Sequence, residues 1–302
     1  MTASTTQSPV VSSFFDPATH TITHVVSDPK TKVAAVIDSV MDYEHHGARI
    51  SFESANAIIN HVRKEGLQVA WILETHVHAD HLSAAPYLQE HIGGKLGIGE
   101  KIVEVQEVFG KIFNAGTEFQ RDGRQFDVLW KDGDTFSVGT ITARVMHTPG
   151  HTPADVSYVI GDSVFVGDTL FMPDYGSARC DFPGGSAEMM YESVQKIFTL
   201  PDETRMFLCH DYLPKGRSAY AWETTVGEQK RANIHLRTGT GETRFVQARK
   251  ERDATLEMPT LIIPSIQTNM QAGNLPEPET SGARYLKVPL NSVFAKVPRK
   301  RS

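Results

Sequence analysis

Four times along this chain an apolar stretch with strand character runs straight into a short cluster rich in histidine or aspartate. LQVAWILE leads into THVHADH (residues 75–81), TITARVM into HTPGH (147–151), SVFV into GD (167–168), and RMFL into CHD (209–211). Polar side chains at strand ends are a common way for a sheet scaffold to hold a site on a rigid edge. This layout restricts the fold more than any other feature: a sheet-rich α/β chain with its chemistry gathered along one rim.

The intervening segments agree. THTITHVVSD alternates apolar and polar residues, and KVAAVIDSV follows the DPKT turn, so the two read as an antiparallel hairpin. FESANAIINHVRKEG has apolar positions at helical spacing and a glycine stop. A helix is expected from about His81 to His91, others over SAEMMYESVQKIFTLP and WETTVGEQKRANIHL, and one more over GETRFVQARKERDATL. FDVLW, TITARVMHT, VSYVI and SVFVG read as strands separated by Asp/Gly turns. Prolines at 259, 264, 276, 278 and 289 predict a C-terminal segment that wraps over the domain in extended form.

At 302 residues, with 40% hydrophobic and 22% charged residues, the chain can bury a full core. A net charge of −6 argues against nucleic acid as the main partner. No apolar run reaches the roughly 18 residues of a membrane span, so no membrane association is expected. MTASTTQSPVVSS lacks the pattern of a secretory signal and reads as a flexible lead-in, with a cleaved organelle address as the alternative. The two cysteines, Cys180 and Cys209, do not make a disulfide framework, and a reducing, cytoplasmic setting is expected.

In THVHADH an extended backbone turns alternate side chains to one side, so His76, His78 and Asp80 are expected to converge, with His81 following at a helix start. Neutral imidazole and ionised carboxylate both ligate borderline divalent metals. The Pro149-Gly150 turn presents His151, which we favour as a ligand over His147 on the strand side. An aspartate closing an apolar strand, as Asp168 does, is costly to bury unless paired or metal-bound. His210 joins the series as the fourth polar strand end.

The order H-x-H-x-D-H, then a histidine after Pro-Gly, then Gly-Asp, then a final strand-end histidine resembles the metallo-β-lactamase fold signature over roughly residues 18–235. The resemblance implies a four-layer αβ/βα sandwich with two mixed sheets face to face, a flexible lead over 1–17, a catalytic domain over 18–235, and a C-terminal extension over 236–302 packed on it. Within that superfamily, ARCDFPGG and IPSIQTNMQAG are similar to the bacterial-type persulfide dioxygenases, although Gly-Ser-Ala-Arg stands where many of those have Gly-Cys-Gly-Arg. Carried over, that pattern implies one Fe(II) per chain on His76, His151 and Asp168. His78, Asp80, His81 and His210 would orient those ligands, and Arg179 and Tyr212 would contact the substrate. The implied reaction converts glutathione persulfide, O2 and water into glutathione and sulfite. All seven positions of a two-metal site are also present, so a glyoxalase II-like zinc thioester hydrolase is the alternative. The resemblance further suggests a homodimer.

Overall fold

The computed structural model describes residues 8–291. One six-stranded sheet contains β1 (Val10–Asp16), β2 (Thr21–Ser27), β3 (Val33–Ile37), β6 (Gln68–Leu73), β8 (Lys95–Gly99) and β9 (Val128–Trp130), in that spatial order. The second contains β10 (Thr135–Val138), β11 (Ile141–His147), β12 (Val156–Ile160), β13 (Ser163–Phe165), β14 (Arg205–Phe207) and β15 (Glu223–Thr225), also in sequence order. Both are mixed: β3, β6, β8 and β9 run parallel in the first, as do β13 and β14 in the second. A small sheet at the rim joins β4 (Val40–Glu44) to β5 (Arg49–Ser51) and β7 (Leu82–Ser83).

Alternation along the strands builds the layers. Val25, Ala34, Val36 and Ile72 face outward to α1 (Glu53–Glu65), α2 (Ala85–Ile92), α3 (Ile102–Ile112) and α7 (Ile262–Asn269). Their neighbours Val26, Ala35, Ile37 and Leu73 face inward and meet Val145, Tyr158, Phe165 and Phe207 of the second sheet. Val164 and Met206 point out the other way, against α4 (Ala187–Ile197), α5 (Val226–Ala232) and α6 (Glu242–Asp253). A strand's side-chain period of two therefore produces three apolar cores and four layers, α/β/β/α. Tyr158, fully buried between the sheets, donates its hydroxyl proton to the Glu74 carbonyl and ties the second sheet to the segment that carries the histidine cluster.

Four local expectations change. Val10–Asp16 is not a free lead but a strand paired along its length with β2, and residues 1–7 of that lead lie outside the described residues. The helix after the histidines begins at Ala85, not His81, because Leu82 and Ser83 first pair with β4. Glu223–Thr225 is an edge strand before a shorter helix. The proline-punctuated segment is not wholly extended: Ile262–Asn269 is helical, with Pro264 in the first turn, where a missing N–H costs nothing.

Candidate metal centre

The functional clusters all lie where strands of the two large sheets end. Residues 74–81 follow β6, His151 follows β11 through the Pro-Gly turn, Asp168 follows β13, and His210 follows β14. The two sheets are joined at this edge: Ile22 of β2 donates to the Cys209 carbonyl, and Thr21 bridges to His210. Close approach dictates two glycines. Gly167 has φ +52, and a Cβ there would lie 2.5 Å from the Thr75 hydroxyl. Gly150 has φ +151, and a Cβ would lie 2.5 Å from the Met190 backbone.

His76, His151 and Asp168 offer ligand atoms that lie within 4.8 Å of one another, and all three side chains are buried. His78, Asp80, His81 and His210 form a second such group. Asp168 stands between the two. Its Oδ2 is 3.5 Å from His151 Nε2 and 3.9 Å from His76 Nε2, while its Oδ1 is 3.3 Å from His210 Nε2. His76, His78 and Asp80, expected to converge, do lie close together: the His76 and His78 ring centroids are 4.0 Å apart, and His78 shares a candidate ligand group with Asp80. The segment after Leu73 is not extended strand, and within this close set the ligand atoms divide more finely than alternation predicts: His76 groups with His151 and Asp168, while His78 groups with Asp80, His81 and His210.

Each imidazole is fixed by its outer nitrogen. His151 Nδ1 donates to the Arg179 carbonyl at 2.8 Å, and His210 Nδ1 to the His20 carbonyl at 3.2 Å. His76 Nδ1 donates to the Thr75 hydroxyl at 3.0 Å, which in turn donates to Asp38 Oδ2. His78 Nε2 donates to Asp38 Oδ1 at 3.0 Å, and His81 Nδ1 lies 3.3 Å from the Thr21 hydroxyl. These bonds place the proton on the outer nitrogen and turn a lone pair inward. The inward atoms His76 Nε2, His78 Nδ1, His81 Nε2, His210 Nε2 and Asp168 Oδ1 are buried without any hydrogen-bond partner. Buried polar atoms are rarely left so, and five meeting at one place fit a bound divalent cation.

The electrostatics agree. Burial holds His76 and His78 well below the usual imidazole range and brings His151 down to about 4, so the rings are neutral, as ligands must be. Burial, reinforced by the Asp80 and Asp38 carboxylates, pushes Asp168 well above the carboxylate range. A bound cation would offset that cost by stabilising the Asp168 carboxylate.

Several expected roles shift. The groups that orient His76 and His151 are Thr75, Asp38 and the Arg179 carbonyl. His78, Asp80, His81 and His210 lie beside them, not behind them. Arg179 borders the central cavity, but its two-pronged face is occupied: Nε and Nη2 engage Asp181 at 2.5 and 2.8 Å, and Nη1 donates to the Glu257 carbonyl. Tyr212 lines the same cavity, its ring stacked on His210 at 5.5 Å between centroids. That cavity holds about 780 Å³ and reaches Asp80, His151 and Asp168 past Phe171, Tyr175 and Phe182.

Two residues were missed. Asp38, buried and with φ +54, organises both His76 and His78. The strand run KVAAVID ending in an acid carried the same signal as VFVGD. Asn269, at the end of α7, accepts from the Ser83 N–H at 2.8 Å and donates to the carbonyls of His78 at 2.9 Å and His81 at 2.8 Å. Nothing local in the sequence announces that contact, which spans about 190 residues.

The profile of the Metallo-beta-lactamase superfamily matches residues 18–210, and this chain belongs to that superfamily. Among its relatives, a probable metallo-hydrolase of Burkholderia pseudomallei is 52% identical over 293 residues, covering 94% of this chain and 99% of that protein. A Dictyostelium discoideum protein named Glyoxylase B2 is 47% identical over 88% of this chain and 92% of its own length. The mitochondrial persulfide dioxygenase ETHE1 of Bos taurus is 29% identical over 86% of this chain and 87% of its own. The crystal structure of ETHE1 from Myxococcus xanthus is similar at TM-score 0.69 and 29% identity, covering 88% of this chain and all of that one. No described helix is long and apolar enough to cross a membrane.

Proposed function

We propose that this protein is a non-haem Fe(II) persulfide dioxygenase that converts glutathione persulfide, O2 and water into glutathione and sulfite. The observation that carries the reading is the buried group of His76, His151 and Asp168, two imidazoles and one carboxylate within mutual ligand distance. That donor set suits Fe(II), which these three residues would hold, one ion per chain. The bound iron would supply the redox chemistry between O2 and sulfur. The similarity to bovine persulfide dioxygenase supports the reading, since it extends over 86% of this chain.

The remaining work falls to the protein. Outer hydrogen bonds from Thr75 and the Arg179 carbonyl hold His76 and His151 in one tautomer and one orientation. Phe171, Tyr175, Phe182 and Tyr212 line the approach and give a polarisable sulfur an aromatic seat. In this reading residues 18–235 would be the catalytic part, and the described portion of the extension that follows, residues 236–291, reaches it through Asn269.

A second reading, a two-metal thioester hydrolase, is favoured by one observation. His78, Asp80, His81 and His210 offer a second cluster, and Asp168 lies between the two. The metallo-hydrolase name of the Burkholderia relative points the same way. Metal analysis after aerobic purification without added zinc, together with an oxygen electrode, separates the readings. About one iron per chain with O2 uptake on adding glutathione persulfide is expected. Two zinc ions per chain, and no uptake by iron-loaded protein, would refute the dioxygenase.

A further inference from the structure

Beside the main cavity lies a smaller recess of about 150 Å³, bordered by Arg237, Arg244, Arg249, Arg252, His235 and Thr240. No carboxylate lines it. Arg249 is buried, and its charge is answered by Asp253 through Nε at 2.9 Å and Nη2 at 2.6 Å. Among the described residues Arg237, Arg244 and Arg252 have neither a hydrogen bond from the guanidinium nor an ion pair. Three unanswered arginines around one recess stand out in a chain of net charge −6, where most surface cations would find acidic neighbours.

The recess is built, not only charged. Arg249 Nη1 donates to the Ser177 carbonyl at 3.0 Å, and the Ser177 N–H donates to His235 Nδ1 at 3.1 Å. Because His235 Nδ1 accepts, its neutral ring carries the proton on Nε2 and remains a donor. The polar members of the wall are therefore donors, with Thr240 amphoteric, beside the apolar Ile234, Phe245 and Ala248. Arg249 and Arg252 border both the recess and the cavity that reaches His151 and Asp168, so the two lie side by side with these arginines between them. Arg179, by contrast, has its bidentate face taken by Asp181. Arginine forks bind carboxylate and phosphate in matching geometry.

We propose that this arginine-lined recess binds the anionic end of the thiol that carries the reacting sulfur. That end is an oxyanion, either a carboxylate as in glutathione or a phosphate as in a nucleotide-bearing thiol. The assignment rests on the persulfide reading of the metal cluster, and it makes Arg244 and Arg252 determinants of substrate specificity.

The test has two arms. Sodium phosphate is titrated calorimetrically into metal-loaded protein at fixed ionic strength, for the wild type, the R244A/R252A double variant, R237A, and R124A as a distant control with the same charge change as R237A. Saturable binding is expected, weakened about tenfold or more in the double variant and measurably in R237A, but unchanged in R124A. In the second arm, KM for glutathione persulfide and for coenzyme A persulfide is measured in the double variant. A rise of about tenfold in KM at constant kcat supports the assignment. A rise for one substrate alone identifies carboxylate or phosphate as the natural occupant. Absence of saturable phosphate binding, equal binding in all variants, or unchanged KM for both substrates overturns it. If the protein consumes no O2, the first arm still reads the recess, so failure of the function and failure of the recess are distinguishable.

Discussion

Replacing Asn269 should loosen the metal-binding segment from a distance, and the size of the effect follows from its bonds. Its side chain is 4% exposed and satisfies three backbone groups: the Ser83 N–H and the carbonyls of His78 and His81. Asn269→Ala leaves all three without that partner in a buried place, and each such loss costs about 1–3 kcal/mol. A total of about 3–5 kcal/mol is expected. With an unfolding entropy of about 0.6 kcal/mol/K for a chain this long, Tm should fall by about 5–8 °C.

Asn269→Asp separates the clamp from simple packing. It is nearly isosteric and keeps the acceptor for Ser83, but it sets a second oxygen against two carbonyls, so it should be less stable than Ala. A packing effect would give the reverse order. Urea denaturation ranks the three proteins. Competition with a chelator should show metal affinity lowered about tenfold or more in both variants, because residues 78–81 lose their fixed position. A wild-type-like Asn269→Asp, or an alanine variant within about 1 kcal/mol of wild type, would refute the reasoning.

Other outcomes follow from the same structure. Asp38→Ala removes the acceptor for His78 Nε2–H and for the Thr75 hydroxyl, and metal affinity measured by chelator competition should drop about 10–100-fold. Asp168→Ala, which takes a ligand from the first cluster and the link to the second, should abolish metal binding by elemental analysis while the circular dichroism spectrum is kept. His24 is buried between the sheets and its pKa is lowered by burial to about 4, against 6.5 for the free group. The unfolded chain therefore takes up a proton that the folded one refuses. About 3 kcal/mol of stability, present above pH 6.5, is lost as pH falls toward 4. His24→Gln should flatten that limb in urea titrations at pH 7 and 5. Burial raises the thiol pKa of both Cys180 and Cys209, so iodoacetamide at neutral pH should leave the native protein unlabelled and label both residues after denaturation.

Much of the fold was legible because burial imposes a period. The alternation at Val25-Val26, Ala34 to Ile37 and Val164-Phe165 is what two packed sheets require, and it is written locally. The strands Val10–Asp16, Val40–Glu44 and Leu82–Ser83 were not legible. Strands of seven, five and two residues at an edge or rim are held by their partners and not by their own pattern. The helix Ile262–Asn269 was hidden by its prolines, since Pro264 signals a break unless the first turn is known to fall there.

For the site, the sequence by itself determined the inventory: His76, His78, Asp80, His81, His151, Asp168 and His210, each at or after a strand end. Ligand types at chain-local spacing are a property of the sequence, and so is the superfamily they mark. Only the tertiary structure decided the partition into two groups around Asp168, because distances between strand ends depend on how the two sheets meet. It likewise decided that Arg179 is already paired with Asp181, while Arg252 is unpaired beside the cavity. The hold of Asn269 on a loop 190 residues earlier belongs to the same class. Hydrogen bonds between segments far apart leave no periodic trace in either segment, so they exist as information only once the chain is folded.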